Sequence, residues 1–161
     1  MTYSPVTNDD VQELRAFLSE ADLTIAGLDS TAVRVWVERD HDGEIVGSTG
    51  YETSTDGADV LIRSVAVSST RRAAGAGTRL ARFALEEAAS LGATRAWLFS
   101  RRSGPFWQKL GFGPADRGEL AAVLSGTQQV RRFAETGQLE REVAWMRDLT
   151  ALRSAPGGPA R

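Results

Sequence analysis

The stretch from Arg63 to Leu80, RSVAVSSTRRAAGAGTRL, carries the most specific chemistry in the chain. An apolar strand runs through a loop of small residues into the N-terminus of an amphipathic helix. Such a junction presents backbone N–H groups without intrahelical partners at the positive end of a helix dipole, and together these bind phosphate oxygens. Gly75 and Gly77 leave no side chain to keep a pyrophosphate away, and Arg71 and Arg72 add positive charge beside them. Spacing sorts the competing glycine loops. A Walker loop needs Gly-Lys followed by Ser or Thr, which is absent. A dinucleotide fingerprint needs a third small residue where Leu80 stands and an acidic residue on the following strand. A second feature is a charge pair. Arg63 interrupts the apolar run VLIRSVAV, which is costly unless its guanidinium is paired or faces a cleft. With a two-residue turn at Asp56 and Gly57, Glu52 pairs with Leu61 and lies diagonal to Arg63 on one face of the sheet. A turn one residue longer would put them on opposite faces.

The elements that must hold these residues follow from hydrophobic periodicity. Asn8 caps a helix over Asp9 to Glu20, where Val11, Leu14, Phe17, Leu18 and Ala21 recur at helical spacing. Val33, Val35 and Val37 alternate with polar neighbours as a strand, the DHDG turn at Asp40 to Gly43 closes a hairpin, and EIVGSTGYE forms the second strand. Val60 to Val67 is nearly continuous in apolar residues, the mark of a central strand covered on both faces. Leu80, Phe83, Ala84, Ala88 and Leu91 stripe a long helix that Gly92 terminates. ATRAWLFS is a short strand, Pro105 opens a helical turn, Glu119 to Arg132 reads as one helix, and Val143 to Leu149 is a final strand. SAPGGPAR reads as a flexible tail. The layout is α+β, a mixed sheet in a single domain over residues 1–150 with a tail over 151–161.

Composition narrows the function. The 161 residues are 42% hydrophobic and 25% charged, which is ordinary globular usage. A formal net charge of −2 gives none of the basic excess of a nucleic-acid-binding domain. Absence of cysteine excludes disulfide scaffolds, thiolate zinc sites and cysteine nucleophiles, and a single histidine excludes a multi-histidine metal site. That histidine, His41, sits in the DHDG turn and is expected to be exposed. No metal is expected. The N-terminus lacks the basic and apolar regions of a secretory signal, and no apolar run approaches membrane-spanning length, so a cytoplasmic location is expected.

Arg72-x-x-Gly75-x-Gly77 resembles the acetyl-coenzyme A motif of the GNAT N-acetyltransferase superfamily: Gln or Arg, two residues, Gly, one residue, Gly or Ala. The resemblance continues through VAV ahead of the loop and the long helix behind it to FWQKLGF at Phe106 to Phe112, which is similar to that family's FYEKLGF segment. It is strongest from Thr31 to Phe112. It implies the GNAT fold, a mixed, mostly antiparallel sheet splayed between the strands Val60 to Val67 and Thr94 to Ser100, with acetyl-coenzyme A in the splay. Val65, Ala66 and Val67 would offer backbone groups to the pantetheine arm. Arg72, Ala73, Ala74, Gly75, Ala76, Gly77 and Thr78 would hold the pyrophosphate, and Ser100 would hydrogen-bond the arm. Within the superfamily the chain most resembles the arsenic-resistance-associated N-acetyltransferases, a group linked to amino-acid-like toxic substrates.

The activity so implied is direct transfer of acetyl to a small amine in a ternary complex. The amine must be neutral to attack, so a base is needed, and Glu52 is the candidate. Arg63 would bind an amino acid's carboxylate, with Trp107 and Arg101 lining the substrate site. Trp107 stands where relatives carry the tyrosine acid, and an indole N–H cannot serve as such a donor. A protein lysine or N-terminus as acceptor, or a non-catalytic acyl-coenzyme A module, are the alternatives. No nucleic-acid or membrane partner is expected, and a homodimer stays open.

Overall fold

The computed structural model describes residues 2–71 and 75–154, so Arg72, Ala73, Ala74 and residues 155–161 of the expected tail lie outside the described residues. Seven strands form one sheet in the order β1-β2-β3-β4-β5-β7-β6. They are β1 (Ser4–Pro5), β2 (Val33–Arg39), β3 (Ile45–Thr53), β4 (Asp59–Val67), β5 (Arg95–Phe99), β6 (Gly113–Ala115) and β7 (Ala144–Asp148). Every neighbouring pair is antiparallel except β4 with β5. This is the mixed, mostly antiparallel sheet expected from the sequence.

Strand alternation sorts the helices onto two faces. Tyr51, Val60 and Ile62 point to the face covered by α2 (Ala76–Ser90), α3 (Gly104–Lys109) and α6 (Thr150–Ser154). On the opposite face Val33, Val35 and Val37 pack against Leu14 and Leu18 of α1 (Val11–Glu20). Further along that face, Leu61 and Trp97 pack under α4 (Arg117–Val123) and α5 (Gln128–Thr136) through Leu120 and Val130.

Local chemistry corrects several expected boundaries. The first helix opens as a 3-10 turn over Asn8–Asp10, and its cap is Thr7, whose backbone N–H donates to Asp10 Oδ2 at 2.8 Å, rather than Asn8. Leu91 lies beyond the end of α2 and is 58% exposed, so it is not on the buried stripe. Glu119 to Arg132 is two helices, each with its own side-chain cap: Asp116 accepts from Glu119 N, and Thr127 accepts from Val130 N. The expected tail begins as α6, whose Leu152 packs on the α2 face, so the folded unit passes residue 150. Among the described residues no helix is long and apolar enough to cross a membrane.

Candidate active site

The central strands part, and the register shows why. β4 pairs with β5 only at Asp59↔Arg95, Val60↔Ala96 and Leu61↔Trp97. Below the split, Asp59 Oδ1 ties the two strands by accepting from Arg95 Nε and Trp97 Nε1, each at 2.8 Å. Above it, Ser48 faces Ala66 while Gly50 faces Arg63, so Thr49 is opposed by both Ser64 and Val65. That is a β-bulge, and Ser64 takes φ of 63° to make it. Ser48 Oγ pins the bulge by donating to the Ser64 carbonyl at 2.6 Å. The bend turns β4 away from β5, and a cleft of about 530 Å³ opens between them, lined by Val65, Ala66, Val67, Ser100, Trp107 and Gly77 among others.

At one end of the cleft α2 begins. Gly75 caps it at φ of 75°, a left-handed conformation that glycine adopts without strain. Arg79 N donates to the Gly75 carbonyl at 3.2 Å as the first intrahelical bond, so the N–H groups of Ala76, Gly77 and Thr78 precede the ladder. A Cβ on Gly77 would meet Val67 and Phe106 at 3.6 Å, at the wall of the cleft. Free N–H groups, a helix N-terminus and a wall without a side chain fit a diphosphate. Arg71 Nη1 lies 3.9 Å from the buried Glu38 Oε2, which holds its charge beside this loop.

Glu52 and Arg63 come together on one face as the alternation requires, with Glu52 opposite Leu61. They do not face the cleft. Arg63 Nη1 donates to Glu52 Oε2 at 2.9 Å, and the two side chains are 0% and 1% exposed. The N-terminus of α5 completes the carboxylate: Gln128 N donates to Oε1 at 2.6 Å and Gln129 N to Oε2 at 3.1 Å. Burial pushes the Arg63 pKa down from its ordinary value while the Glu52 charge pulls it back up. The Glu52 carboxylate is thus engaged by Arg63 and the α5 backbone, and Arg63 Nε donates in addition to Ser64 Oγ at 3.2 Å, so both charged groups are held inside the protein.

Trp107 lines the cleft but is 7% exposed and sits edge-on between Phe106 and Phe112, at 4.9 and 5.4 Å between ring centroids. Its ring packs against both neighbours, and Trp107→Phe is expected to change turnover by well under the roughly 100-fold that losing a general acid costs. A steady-state thiol-release assay checks this, with cofactor affinity measured alongside. Ser100 also lines the cleft, and its Oγ accepts from Ser103 N at 3.0 Å, bracing the entry to α3. Arg101, on the same wall, has Nε 3.4 Å from Glu142 Oε2. His41 lies in an exposed turn, its side chain 91% exposed.

The sequence reading missed the opposite wall. Gln129, Phe133, Gln138 and Glu142 come from the α4–α5 excursion between β6 and β7, and Asp22 to Thr24 from the loop after α1. A second cavity of about 720 Å³ is lined by the same Asp22 to Thr24, Phe133 and Gln138, with Arg131, Arg132 and Arg141 around it. Among the described residues no group of histidine, cysteine or carboxylate side chains could hold a metal ion.

The sequence profile of the acetyltransferase (GNAT) family matches residues 5–112. No relative among curated protein sequences matches at a significant level. Among solved structures, N-acetylglutamate synthase from Neisseria gonorrhoeae, complexed with coenzyme A and N-acetyl-glutamate, superposes with a TM-score of 0.69 at 19% identity over 92% of this chain, which spans 35% of the synthase's length. A GNAT-family acetyltransferase from Staphylococcus aureus gives 0.69 at 15% identity, covering 92% of this chain and 100% of that one. Aminoglycoside 6′-N-acetyltransferase complexed with coenzyme A gives 0.65 at 14% identity, covering 92% and 97%. The structures agree on the fold, and the profile carries the family across the phosphate loop and the FWQKLGF segment alike. This chain belongs to the acetyltransferase (GNAT) family, enzymes that move acetyl from acetyl-coenzyme A to an amine.

Proposed function

We propose that the acetyl acceptor is the primary amine of a small, amino-acid-like molecule bearing an anionic group, and that the enzyme works in the cytoplasm as a single domain. The observation that carries this is the second cavity, which adjoins the cleft and whose charged lining is three arginines against Asp22 and Glu135. Arg131, Arg132 and Arg141 have no ion-pair partner among the described residues, and the lining they share with the cleft leads from one cavity to the other. Unpaired guanidinium groups are suited to carboxylate, phosphonate or arsonate oxygens in a bidentate fork. The N-acetyl-glutamate in the Neisseria synthase structure is an N-acetylated amino acid, which agrees with this reading, as does the resemblance to the arsenic-resistance-associated N-acetyltransferases.

On this reading acetyl-coenzyme A supplies the activated acetyl group. Residues 72 to 78, of which Ala76, Gly77 and Thr78 open α2, bind the diphosphate, Val65 to Val67 along the cleft wall run beside the pantetheine arm, and Ser100 flanks it. Direct attack by the amine follows in a ternary complex.

The test is a thiol-release panel of amino acids, their decarboxylated amines, an aminoglycoside and a lysine peptide. The amino acids should be preferred, and the double variant Arg131→Ala/Arg132→Ala should raise the acceptor KM about tenfold for anionic acceptors only, the size of one lost charge-assisted contact at a partly solvated site. Equal turnover of amines lacking the anionic group would refute the amino-acid reading.

A further inference from the structure

The reaction needs a base, and burial removes Glu52 from that role. The described residues lining the cleft include no histidine, cysteine, tyrosine or lysine, and the carboxylates among them are Asp22 and Glu142. Asp22 is at the exposed mouth, its side chain 77% exposed and paired with Arg102 at 2.9 Å. Glu142 differs on each count. It is 7% exposed, and its Oε2 accepts from Gln138 Nε2 at 2.8 Å and lies 3.4 Å from Arg101 Nε. Its Oε1 has no hydrogen-bond partner among the described residues and is not among the buried orphan atoms, so this oxygen is open to solvent on a residue that lines the cleft. The backbone is fixed as well: Arg117 Nη1 donates to the Glu142 carbonyl at 3.1 Å, and Glu142 N donates to Leu139 O at 3.2 Å.

A second observation points to the ligand. Gln129, 8% exposed, lines the same cleft, and its Oε1 is buried without a hydrogen-bond partner. An orphaned amide oxygen costs on the order of 1–3 kcal/mol unless something donates to it. An ammonium carries three donors and no acceptor, so one bound in the cleft can donate to the open oxygen of Glu142, and to the Gln129 oxygen once that amide turns toward the cleft.

We infer that Glu142 is the catalytic base, with Gln129 seating the acceptor amine beside it; this rests on the acetyltransferase reading above. The step balances as follows. Glu142 takes one proton from the acceptor ammonium, the neutral nitrogen bonds the thioester carbonyl carbon, and the carbon–sulfur bond breaks. The nitrogen gives its second proton to the departing sulfur, and Glu142 returns its proton to water through the cleft. Glu52 acts one step back, as a positioning residue, because its carboxylate holds the Gln129 backbone N–H.

The charged groups around Glu142 are Arg101 on the wall after β5 and Arg117 on α4, with the Asp22–Arg102 pair at the mouth. Of the cleft carboxylates, Glu142 and Asp22 are the groups to separate. Using an amine that the wild type acetylates, Glu142→Gln should lower kcat/KM by roughly 100-fold or more near neutral pH, as removal of a general base does. The loss should narrow as pH rises and the free amine forms unaided. Coenzyme A affinity by calorimetry should be unchanged, and Glu142→Asp should be intermediate. Gln129→Met, which keeps the side-chain volume, should raise the acceptor KM about tenfold without changing the KM for acetyl-coenzyme A, and this arm stands if the Glu142 variants do not fold. Turnover of Glu142→Gln within about threefold of wild type, an unchanged acceptor KM in Gln129→Met, or a pH-dependent loss in Asp22→Asn instead would each overturn the assignment. If no amine in the panel releases thiol from the wild-type enzyme, the acetyltransferase reading itself fails.

Discussion

In Gly77→Glu, acetyl-coenzyme A binding should fall by roughly a thousandfold while the protein stays folded. Residue 77 lies in the first turn of α2, on the cleft wall, where an added Cβ would touch Val67 and Phe106 at an ordinary 3.6 Å. The fold therefore tolerates a side chain here. The cosubstrate should not. A carboxylate at this point sits among the first-turn N–H groups, competes for the positive helix end and opposes the diphosphate charge. Two like charges about 4 Å apart at an effective dielectric near 20 repel by about 4 kcal/mol, which is about a thousandfold in affinity. Gly77→Ala separates volume from charge, since it adds the Cβ alone, and should lose much less. Calorimetry with coenzyme A, next to a thermal melt, reads both quantities. Wild-type affinity in the glutamate variant would show that the helix N-terminus is not the diphosphate site.

That prediction could be written from sequence because a strand, a small-residue loop and a striped helix are all local patterns. The same is true of β2 to β5, of α2, and of the alternation that put Glu52 and Arg63 on one face. What sequence could not reveal was what covers that face. α5 begins at Gln128, 76 positions from Glu52 in the hydrogen bond that joins them, and nothing near either residue announces the contact. A buried ion pair and a substrate-binding pair look identical until the third partner is placed. Glu142 was missed for a related reason. It stands just ahead of an ordinary strand, and only the excursion between β6 and β7 brings it across the cleft to Val65 and Ser100. β1 and β6, with two and three residues, are too short to show any period.

Glu52→Ala should be the most destabilising single change at the site, and its pattern separates an anchor from a base. The substitution leaves the Arg63 guanidinium charged at 0% exposure and strips two α5 N–H groups of their acceptor. Breaking a buried pair from one side costs about 3–5 kcal/mol, or a drop in Tm of roughly 10 °C for a domain of this size. Replacing both partners, as in Glu52→Leu/Arg63→Met, removes the orphaned charge and should recover much of that loss, so the double variant should be more stable than Glu52→Ala. It should not recover all of it, because the α5 amides still lack their carboxylate. Function should follow the helix. Glu52→Gln keeps a carbonyl oxygen for α5 but not the charge, so it should melt earlier than wild type. Its turnover, assayed well below its melting range, should fall less than tenfold, mainly through a higher acceptor KM as Gln129 shifts. A base lost from the same position would give the reverse: a melt close to wild type and turnover down by about 100-fold. That outcome would return Glu52 to the chemistry and displace Glu142 from it.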